Sequence, residues 1–416
     1  MAITEYYATS AGTGAKNGSI TDPWGWAEML AADPATLGPI RINFKGDHTL
    51  TGAATFTGTM SATNFLILRG YNSSIGDLST RARASGHGAL STTNVPVITG
   101  GGSVFNLPAW GVLEDLVLTG NRNGSVVALG TSSTIVRCTI THLDTDASGS
   151  AVASSTGPYS LVYDSDLILS GASGNLAAGS FTVAVTVYGC RIDGGAAAGL
   201  NIVAGCVVAH CVVHSSGTDA ILINSASNNV VIINNTLVSS GSDGIHQITG
   251  GTRTAHIVGN LITDQTGYGI YSVDAAAGLI ALNNRIVRNN SDDAQTEGAT
   301  DWLAALAQHN NATAATQANE YENAGGNDYR LKSTSPALSI GIPLYRDVGA
   351  LQRIRDYPAV GNVTEDDTVD GATGTYHEAT AAEVQSGVQF GAGGTEYTGT
   401  LTGGGGGRPE LRQGNL

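Results

Sequence analysis

The chain has 416 residues, of which 41% are hydrophobic, so it can form a core in one elongated or two ordinary domains. Its net charge is −15, and the absence of any Lys/Arg-rich run argues against a nucleic-acid partner. No apolar run approaches the roughly 20 residues needed to span a bilayer.

The first 50 residues predict an N-terminal cap. The stretch "YYATSAGTGAKNGSITDPWGWAEML" predicts a strand, a glycine-rich loop and a helix from about Trp24 to Ala32. Asp22 is the expected N-cap residue and Pro23 the first helical residue. Because "MAITEYYATS" lacks the basic and apolar regions of a secretory signal, we expect a chain made in the cytoplasm without one.

Residues 51–290 contain a repeat of about 24 residues. Each of eight copies has an aliphatic residue, a small or polar residue three places later, and a second aliphatic residue after two more. The small or polar residues are Asp115, Cys138, Ser165, Cys190, Cys211, Asn235, Asn260 and Asn284. The second aliphatic residues are Val117, Ile140, Leu167, Ile192, Val213, Leu237, Ile262 and Ile286. The repeat predicts stacked rungs with an inward polar ladder.

A weaker apolar column follows each turn, in "GLNIV", "AILIN", "GIHQI" and "GIYSV". Each repeat therefore holds at least two short strands and has no room for a helix. These features predict an all-β fold, a right-handed parallel β-helix. A leucine-rich repeat also shows an Asn/Cys ladder at this period, but its leucine spacing is missing here.

Three features resemble the pectate-lyase-like β-helix superfamily: the "NNTL" and "GNLI" rungs, the N-terminal segment, and "NDYRLKSTSPALSIGIPLYRDVGALQ" from Asn327. In that family the last segment closes the solenoid. The resemblance spans about residues 5–355. It implies the fold and not one activity, since lyases, hydrolases, adhesins and viral spikes share it.

The remaining segments are expected to lie outside the rungs. Residues 291–358 predict an irregular insertion, with a helix at Asp301 to Gln308, followed by closure of the solenoid. Residues 359–373 predict an acidic linker, and residues 374–416 an extended or β assembly segment with a glycine-rich tail. Within the latter, "AAEVQSGVQFG" followed by "TGTL" resembles modules of bacteriophage tail and other virion proteins.

The motif "CVVAHCVVH" suggests a zinc site made of Cys206, His210, Cys211 and His214. Consecutive strand residues face opposite sides of a sheet, so these four should not converge. We expect buried thiols and outward histidines, with no metal or cofactor in the protein. "YHEATAAE" at His377 does not have zinc-protease spacing.

Acidic residues are the candidates for glycoside chemistry. Asp164 and Asp166 share an outer face, but Arg137 and Arg191 on neighbouring rungs predict a solvated charge ladder instead. Asp144 and Asp146 fit a turn. A further set could face one groove, but its members occupy different columns, so convergence is not expected: Asp193, His214, Asp219, Asp243 and His246.

Aromatic residues on the rungs could bind a sugar, and they are Tyr159, Tyr163, Tyr188, Tyr268 and Tyr271. Tyr163 and Tyr188 are in register and could simply stack on each other. No catalytic residue is assigned.

The interpretation we favour is a non-enzymatic β-helix spike, fibre or decoration protein of a virus particle or phage-like assembly. We expect it to bind other particle subunits through residues 360–416. We also expect it to form a homo-oligomer and to bind a cell-surface polysaccharide. Two alternatives stay open: a β-helix polysaccharide lyase or glycoside hydrolase such as a depolymerising tailspike, and a bacterial adhesin or filament subunit.

Overall fold

The structure is a computed structural model of the chain. It describes residues 3–337, together with Gly349 and four two-residue strands beyond it. The gaps within 3–337 are 10–11, 13, 51–53, 57–59, 80, 82, 84–87, 101–104, 121–123, 144–148, 155–157, 171–176, 204, 225–228, 249–253, 273–277, 283, 288, 290–293, 297–315, 333 and 336.

Three parallel sheets form the body; each rung contributes one strand to each, and the N-terminal strand Thr4–Ala8 adds an eleventh strand to sheet 1. Sheet 1 contains Thr4–Ala8, Ile40–Phe44, Leu66–Gly70, Gly111–Glu114, Thr134–Val136, Ser160–Tyr163, Val185–Tyr188, Val207–Ala209, Val230–Ile233, Thr254–Val258 and Gly278–Leu282. Sheet 2 contains His48–Leu50, Val97–Gly100, Val117–Gly120, Thr139–His142, Asp166–Leu169, Arg191–Asp193, Val212–His214, Thr236–Val238, Leu261–Thr263 and Arg285–Val287. Sheet 3 contains Ala54–Thr55, Phe105–Leu107, Ser125–Leu129, Ser150–Ser154, Ala177–Phe181, Ala198–Ile202, Ile221–Ile223, Ile245–Gln247, Ile270–Ser272 and Ala294–Thr296.

This arrangement is a parallel β-helix, as the repeat predicts. One continuous apolar core runs through it from Ala8 to Ile286. The weaker column is also confirmed, because Leu200, Ile221, Ile245 and Ile270 pair in succession along sheet 3.

The inward polar ladder is present at the turn between sheets 1 and 2. The Asn235 side chain donates to Oδ1 of Asn260 at 3.0 Å, and Asn260 donates to Asn284 at 3.0 Å. Each amide nitrogen also reaches a backbone carbonyl of the preceding rung, as Asn235 does with Val208 at 2.9 Å. The ladder therefore satisfies polar groups that are fully buried.

The first copy of the repeat lies one residue away from its predicted alignment. The sheets pair Leu113 with Ile135 and Leu118 with Ile140, so Leu116, not Asp115, corresponds to Cys138. Asp115 instead corresponds to Arg137, and both adopt a positive φ at the turn. In later rungs the residue at this turn position also has a positive φ. These residues are Asp164, Gly189, His210, Asn234 and Gly259. This column has no common side-chain chemistry, which is why spacing alone missed it.

A second inward column lies at the turn between sheets 2 and 3, and the sequence did not predict it. Ser240 N–H donates to the Gln265 side-chain oxygen at 3.0 Å, and Gln265 N–H donates to Asn289 at 3.1 Å. The Gln265 amide also donates to the Leu237 carbonyl at 3.0 Å. The turns on both sides of sheet 2 are therefore fixed by side chains of successive rungs.

The N-terminal cap differs in detail from the prediction. The helix spans Trp26–Leu30 and Gly25 is its N-cap, whose N–H donates to Glu28 at 3.0 Å. Asp22 does not cap it and accepts instead from Ala15 N–H at 3.3 Å. The expected Asp–Pro N-cap is found at the next helix, where Asp33 caps the short helix Pro34–Leu37.

The described part of the closing segment is a helix Gln317–Glu320 and a hairpin of Tyr321–Asn323 and Asp328–Leu331, joined by a 3-10 turn at Ala324–Gly326. We call residues 317–331 the closing hairpin. Its tyrosines and Leu331 form an apolar cluster with Val212, Val238 and Leu261 of sheet 2. The segment thus covers the outer wall of three rungs.

Residues 353–416 form a separate compact unit. The structure describes two antiparallel hairpins there, Thr368–Val369 with Ala372–Thr373 and Gln389–Phe390 with Tyr397–Thr398. The first lies within the segment predicted as a linker. The helix predicted at residues 301–308, and His377, lie outside the described residues. No helix in the described part of the chain is long and apolar enough to cross a membrane.

Candidate functional site

Three titratable side chains of two successive rungs meet beside sheet 3. His246 Nδ1 lies 3.2 Å from Oδ2 of Asp219 and 3.4 Å from Oδ2 of Asp243. Both carboxylates are largely buried and the imidazole is half-buried. One ring nitrogen is therefore shared between two acids.

The turns between sheets 2 and 3 position these groups. Asp243 N–H donates to Oδ1 of Asp219 at 3.1 Å, and Tyr268 N–H donates to Oδ1 of Asp243 at 2.7 Å. Each aspartate therefore uses one oxygen to hold the next rung and turns the other towards His246. The backbone of the solenoid sets this orientation.

The electrostatics of the cluster favour shared protons. Burial raises the pKa of Asp243, against the opposing hydrogen bond from Tyr268 and reinforced by the charge of Asp219. Burial by itself would lower the pKa of His246, but the hydrogen bond and charge of Asp219, with the charge of Asp243, raise it overall. The two acids therefore favour the cationic form of the imidazole.

An aromatic pair covers this cluster. Tyr268 and Tyr271 stack with ring centroids 5.1 Å apart, and Tyr271 meets the His246 ring edge-on at 5.0 Å. Tyr271 is the register partner of His246 in sheet 3. His246 Nε2 is enclosed and makes no hydrogen bond within the described residues. The charged cluster thus packs against the tyrosine pair through the contact between His246 and Tyr271.

A surface pocket of about 310 Å³ lies along the same three turns. Its walls carry the hydroxyls of Ser215, Ser239 and Thr266 and the Asp264 carboxylate. Thr266 is two residues before Tyr268, so the pocket and the tyrosine pair belong to one strip of turns. We call residues 215–219, 239–243 and 264–271, with His246, the turn strip.

The chemistry open to the turn strip follows from its spacing. A carboxylate oxygen of each aspartate and a nitrogen of His246 lie within 4.8 Å of one another, a donor set that divalent cations accept. Glycoside hydrolysis uses carboxyl groups roughly 5–9.5 Å apart with the sugar between them. Here His246 occupies that space. The expectation that the protein binds no metal or cofactor stays a prediction.

Convergence of this group was not expected from the sequence, and that expectation is wrong for three of the five residues. Asp219, Asp243 and His246 meet because the turn brings different columns to one point. Asp193 and His214 instead pair with each other in sheet 2.

Asp164 and Asp166 are not on a solvated wall. Arg83 binds both, at 2.7 and 2.6 Å, and Asp166 is fully buried and also accepts from Leu90 N–H at 2.7 Å. Asp166 and Arg191 are register partners as predicted, but Arg137 binds Asp115 at 2.7 Å. The predicted ladder is wrong because the loop carrying Arg83 covers this wall, and rung spacing contains no signal for that loop.

The other candidates are resolved as follows. All four cysteines are buried free thiols, as predicted, and burial raises the pKa of Cys138 to about 12. His210 packs on Tyr188, and His214 faces outward as expected but lies buried under the closing hairpin. Tyr163 and Tyr188 stack on each other with centroids 5.7 Å apart. Asp144 and Asp146 lie outside the described residues.

Comparison with known proteins settles the hand of the coil. Residues 104–262 match the family described as "Right handed beta helix region". The chain is a right-handed parallel β-helix. A structural match to the pectate lyase Pel9A covers 85% of this chain and 97% of that chain, with 13% identity and a TM-score of 0.51. The likeness to Pel9A concerns the fold alone.

Weaker matches to this β-helix come from two other kinds of protein. A periplasmic alginate epimerase matches at 10% identity and a TM-score of 0.38, over 66% of this chain and 76% of its own. The tailspike protein of an Acinetobacter phage matches at 11% identity and a TM-score of 0.34, over 67% and 58%. A comparison with curated proteins gave no match to this sequence.

Proposed function

We propose that the protein is a glycan-binding β-helix component of a virus particle or phage-like assembly. The turn strip is its binding surface, and residues 360–416 attach it to other subunits. The observation that carries the proposal is the stacked pair Tyr268 and Tyr271 beside a hydroxyl- and carboxylate-lined pocket.

The chemistry of the strip suits a sugar chain. The C–H groups of a pyranose carry partial positive charge and pack on the negative face of an aromatic ring. Ser215, Ser239 and Asp264 offer donors and acceptors to sugar hydroxyls. The buried His246 with its two aspartates holds the tyrosines in place before binding, which lowers the entropy cost of association.

Binding is tested with the purified full chain and a panel of bacterial capsular and lipopolysaccharide glycans in a titration calorimeter. The double variant Tyr268→Ser/Tyr271→Ser should lose at least tenfold in affinity for any glycan that binds. The matched control Tyr163→Ser/Tyr188→Ser removes the other stacked pair and should bind as the parent does. An equal loss of affinity in both variants would show that the turn strip is not the binding site.

Attachment through the C-terminal unit is supported by its separation from the solenoid at Gln352. Light scattering should show the full chain assembling into oligomers and a chain ending at Gln352 remaining monomeric. A full chain that is also monomeric at all concentrations would contradict this part of the proposal.

A second candidate function is depolymerisation of the bound glycan. It is favoured by the opposed acid and base groups at His246 and Asp243, both with raised pKa values. Incubation with a bound polysaccharide should then release reducing ends or unsaturated products, and His246→Gln should abolish release even at glycan concentrations that saturate the variant. If a glycan of the panel binds and no product is released from it, only the non-enzymatic function remains.

A further inference from the structure

His214 is buried beneath the closing hairpin as an incompletely bonded imidazole. Only 1% of the residue is exposed, and its ring packs on that of Tyr329 with centroids 5.7 Å apart. Nδ1 lies 2.9 Å from the Ser215 hydroxyl oxygen. Nε2 is enclosed and has no hydrogen-bond partner in the described part of the chain. A proton added there would create a buried charge without an acceptor.

On the neighbouring rung, the Arg191 guanidinium opposes that charge. Asp193 is its register partner on the preceding rung, and Val238 is its partner on the following one. Arg191, two residues before Asp193, is buried with its Nε unpaired. From the hairpin side Tyr329 covers the ring. Burial and the charge of Arg191 together lower the pKa of His214 to about 3.

We infer that His214 is an acid-sensitive latch: the closing hairpin docks on sheet 2 over a neutral imidazole and is released when that imidazole takes up a proton. Release would uncover the apolar surface formed by Val212, Val238 and Leu261. The latch shares contacts with the turn strip, since His214 Nδ1 lies 2.9 Å from the Ser215 hydroxyl and Gln317 of the hairpin donates to the Ser239 hydroxyl at 3.2 Å, but it requires no bound glycan.

The direction of the pH effect follows from linkage. An undocked, solvated His214 binds its proton below pH 6.5, whereas the docked group stays neutral down to about 3. The docking equilibrium constant is therefore constant above pH 6.5 and falls about tenfold per pH unit below it. Stability of docking is lost as the pH falls, because the folded-state pKa of this base is depressed.

A second titratable contact at the same interface must be separated from the latch. Glu320 is buried and binds Arg285 Nε at 2.8 Å. Losing this ion pair would also loosen the hairpin. The contribution of His214 is therefore measured as the difference in the pH dependence of hairpin release between the parent chain and a His214 variant.

Amide hydrogen exchange of the full chain, read by mass spectrometry on peptides covering residues 321–331, measures release. After correction for the intrinsic exchange rate, opening should rise about tenfold per pH unit from pH 6.5 to 4.5 in the parent. His214→Gln, which stays neutral and can still contact Ser215, should be nearly flat there. His256→Gln, a histidine of sheet 1, should behave as the parent. Equal slopes in the parent and His214→Gln would overturn the latch.

A measurement without substitution covers the case in which His214→Gln does not fold. Exchange of the histidine C2 hydrogen, read by mass spectrometry, reports the ionisation of each imidazole in the unmodified chain. His214 should stay neutral wherever the hairpin amides are protected and should titrate together with their release. A His214 that titrates near pH 6.5 beneath a protected hairpin would refute the inference.

Discussion

Asp164 and Asp166 lie at one turn between sheets 1 and 2, whereas Asp219 and Asp243 lie at two successive turns between sheets 2 and 3, and each pair contacts one basic side chain. Arg83 joins the first pair from a loop about 80 residues earlier in the chain, with contacts of 2.7 and 2.6 Å. His246 joins the second from the adjoining strand, at 3.2 and 3.4 Å. The Arg83 site is a permanent charge pair that fixes a loop. The His246 site is titratable, and the neighbouring aspartates raise the pKa of its imidazole.

The difference shows how the same acids serve two purposes on one scaffold. A guanidinium stays charged at any pH the protein meets, so the buried Asp166 is neutralised at all times. An imidazole gives a weaker and adjustable field, so the second pair can support a surface that binds or reacts. The identity of the cation, and not the aspartates, decides the role.

The largest expected effect comes from removing the permanent cation. Arg83→Met leaves the fully buried Asp166 with only the Leu90 N–H and should cost about 3–5 kcal/mol of unfolding free energy. Urea unfolding followed by circular dichroism measures it. A loss below about 1 kcal/mol would show that the loop is not held by this pair.

Removing the titratable cation should cost less. His246→Leu leaves two acids that each keep a backbone N–H donor, so we expect a loss of about 1–3 kcal/mol at pH 7. The loss should be at least as large at pH 5 as at pH 7, because the raised pKa of His246 makes its stabilising contribution complete below pH 6.5. His256→Leu in sheet 1 is the control. A smaller loss at pH 5 than at pH 7 would contradict the raised pKa of His246.

The pH dependence distinguishes the two sites directly. The pKa of His246 is raised above 6.5, so its stabilising contribution is complete below pH 6.5 and is lost as the pH rises through the folded value. A tenfold difference in proton affinity between the folded and unfolded chain corresponds to about 1.4 kcal/mol. Urea midpoints from pH 6 to 9 should therefore decline more in the parent than in His246→Gln. Arg83→Met should decline as the parent does.

The smallest effect is expected at an exposed pair. Arg330 binds Asp328 at 2.7 Å, but the Arg330 side chain is 37% exposed, so Arg330→Met should change stability by about 0–1 kcal/mol. The same urea experiment measures it and calibrates the Arg83 result. A loss as large as that of Arg83→Met would mean that burial does not explain the comparison.

Much of the fold could be predicted because a solenoid repeats its constraints. Asn235, Asn260 and Asn284 recur at one spacing, and the ladder that they form has the inward position expected of them. The weaker column of sheet 3 was predictable for the same reason. The first copy of the repeat was misaligned because Asp115 resembles a ladder residue in size and polarity. Its backbone, however, belongs to the positive-φ column.

The candidate site was less predictable. Asp219, Asp243 and His246 were all named, but their columns argue against convergence until the turn geometry is known. Arg83 was not named, since no local pattern links it to Asp164 and Asp166. His214 was expected to face outward, which it does, but the closing hairpin covers it.

The sequence by itself determined the period, the inward Asn ladder, the apolar columns and hence the parallel β-helix, because apolar and polar side chains must recur wherever the same inner position recurs. Only the tertiary structure decided which outward residues meet. Turns and distant loops bring those together, and their contacts follow no period. The solenoid is encoded locally, whereas the turn strip, the Arg83 pair and the His214 latch depend on segments that pack across rungs.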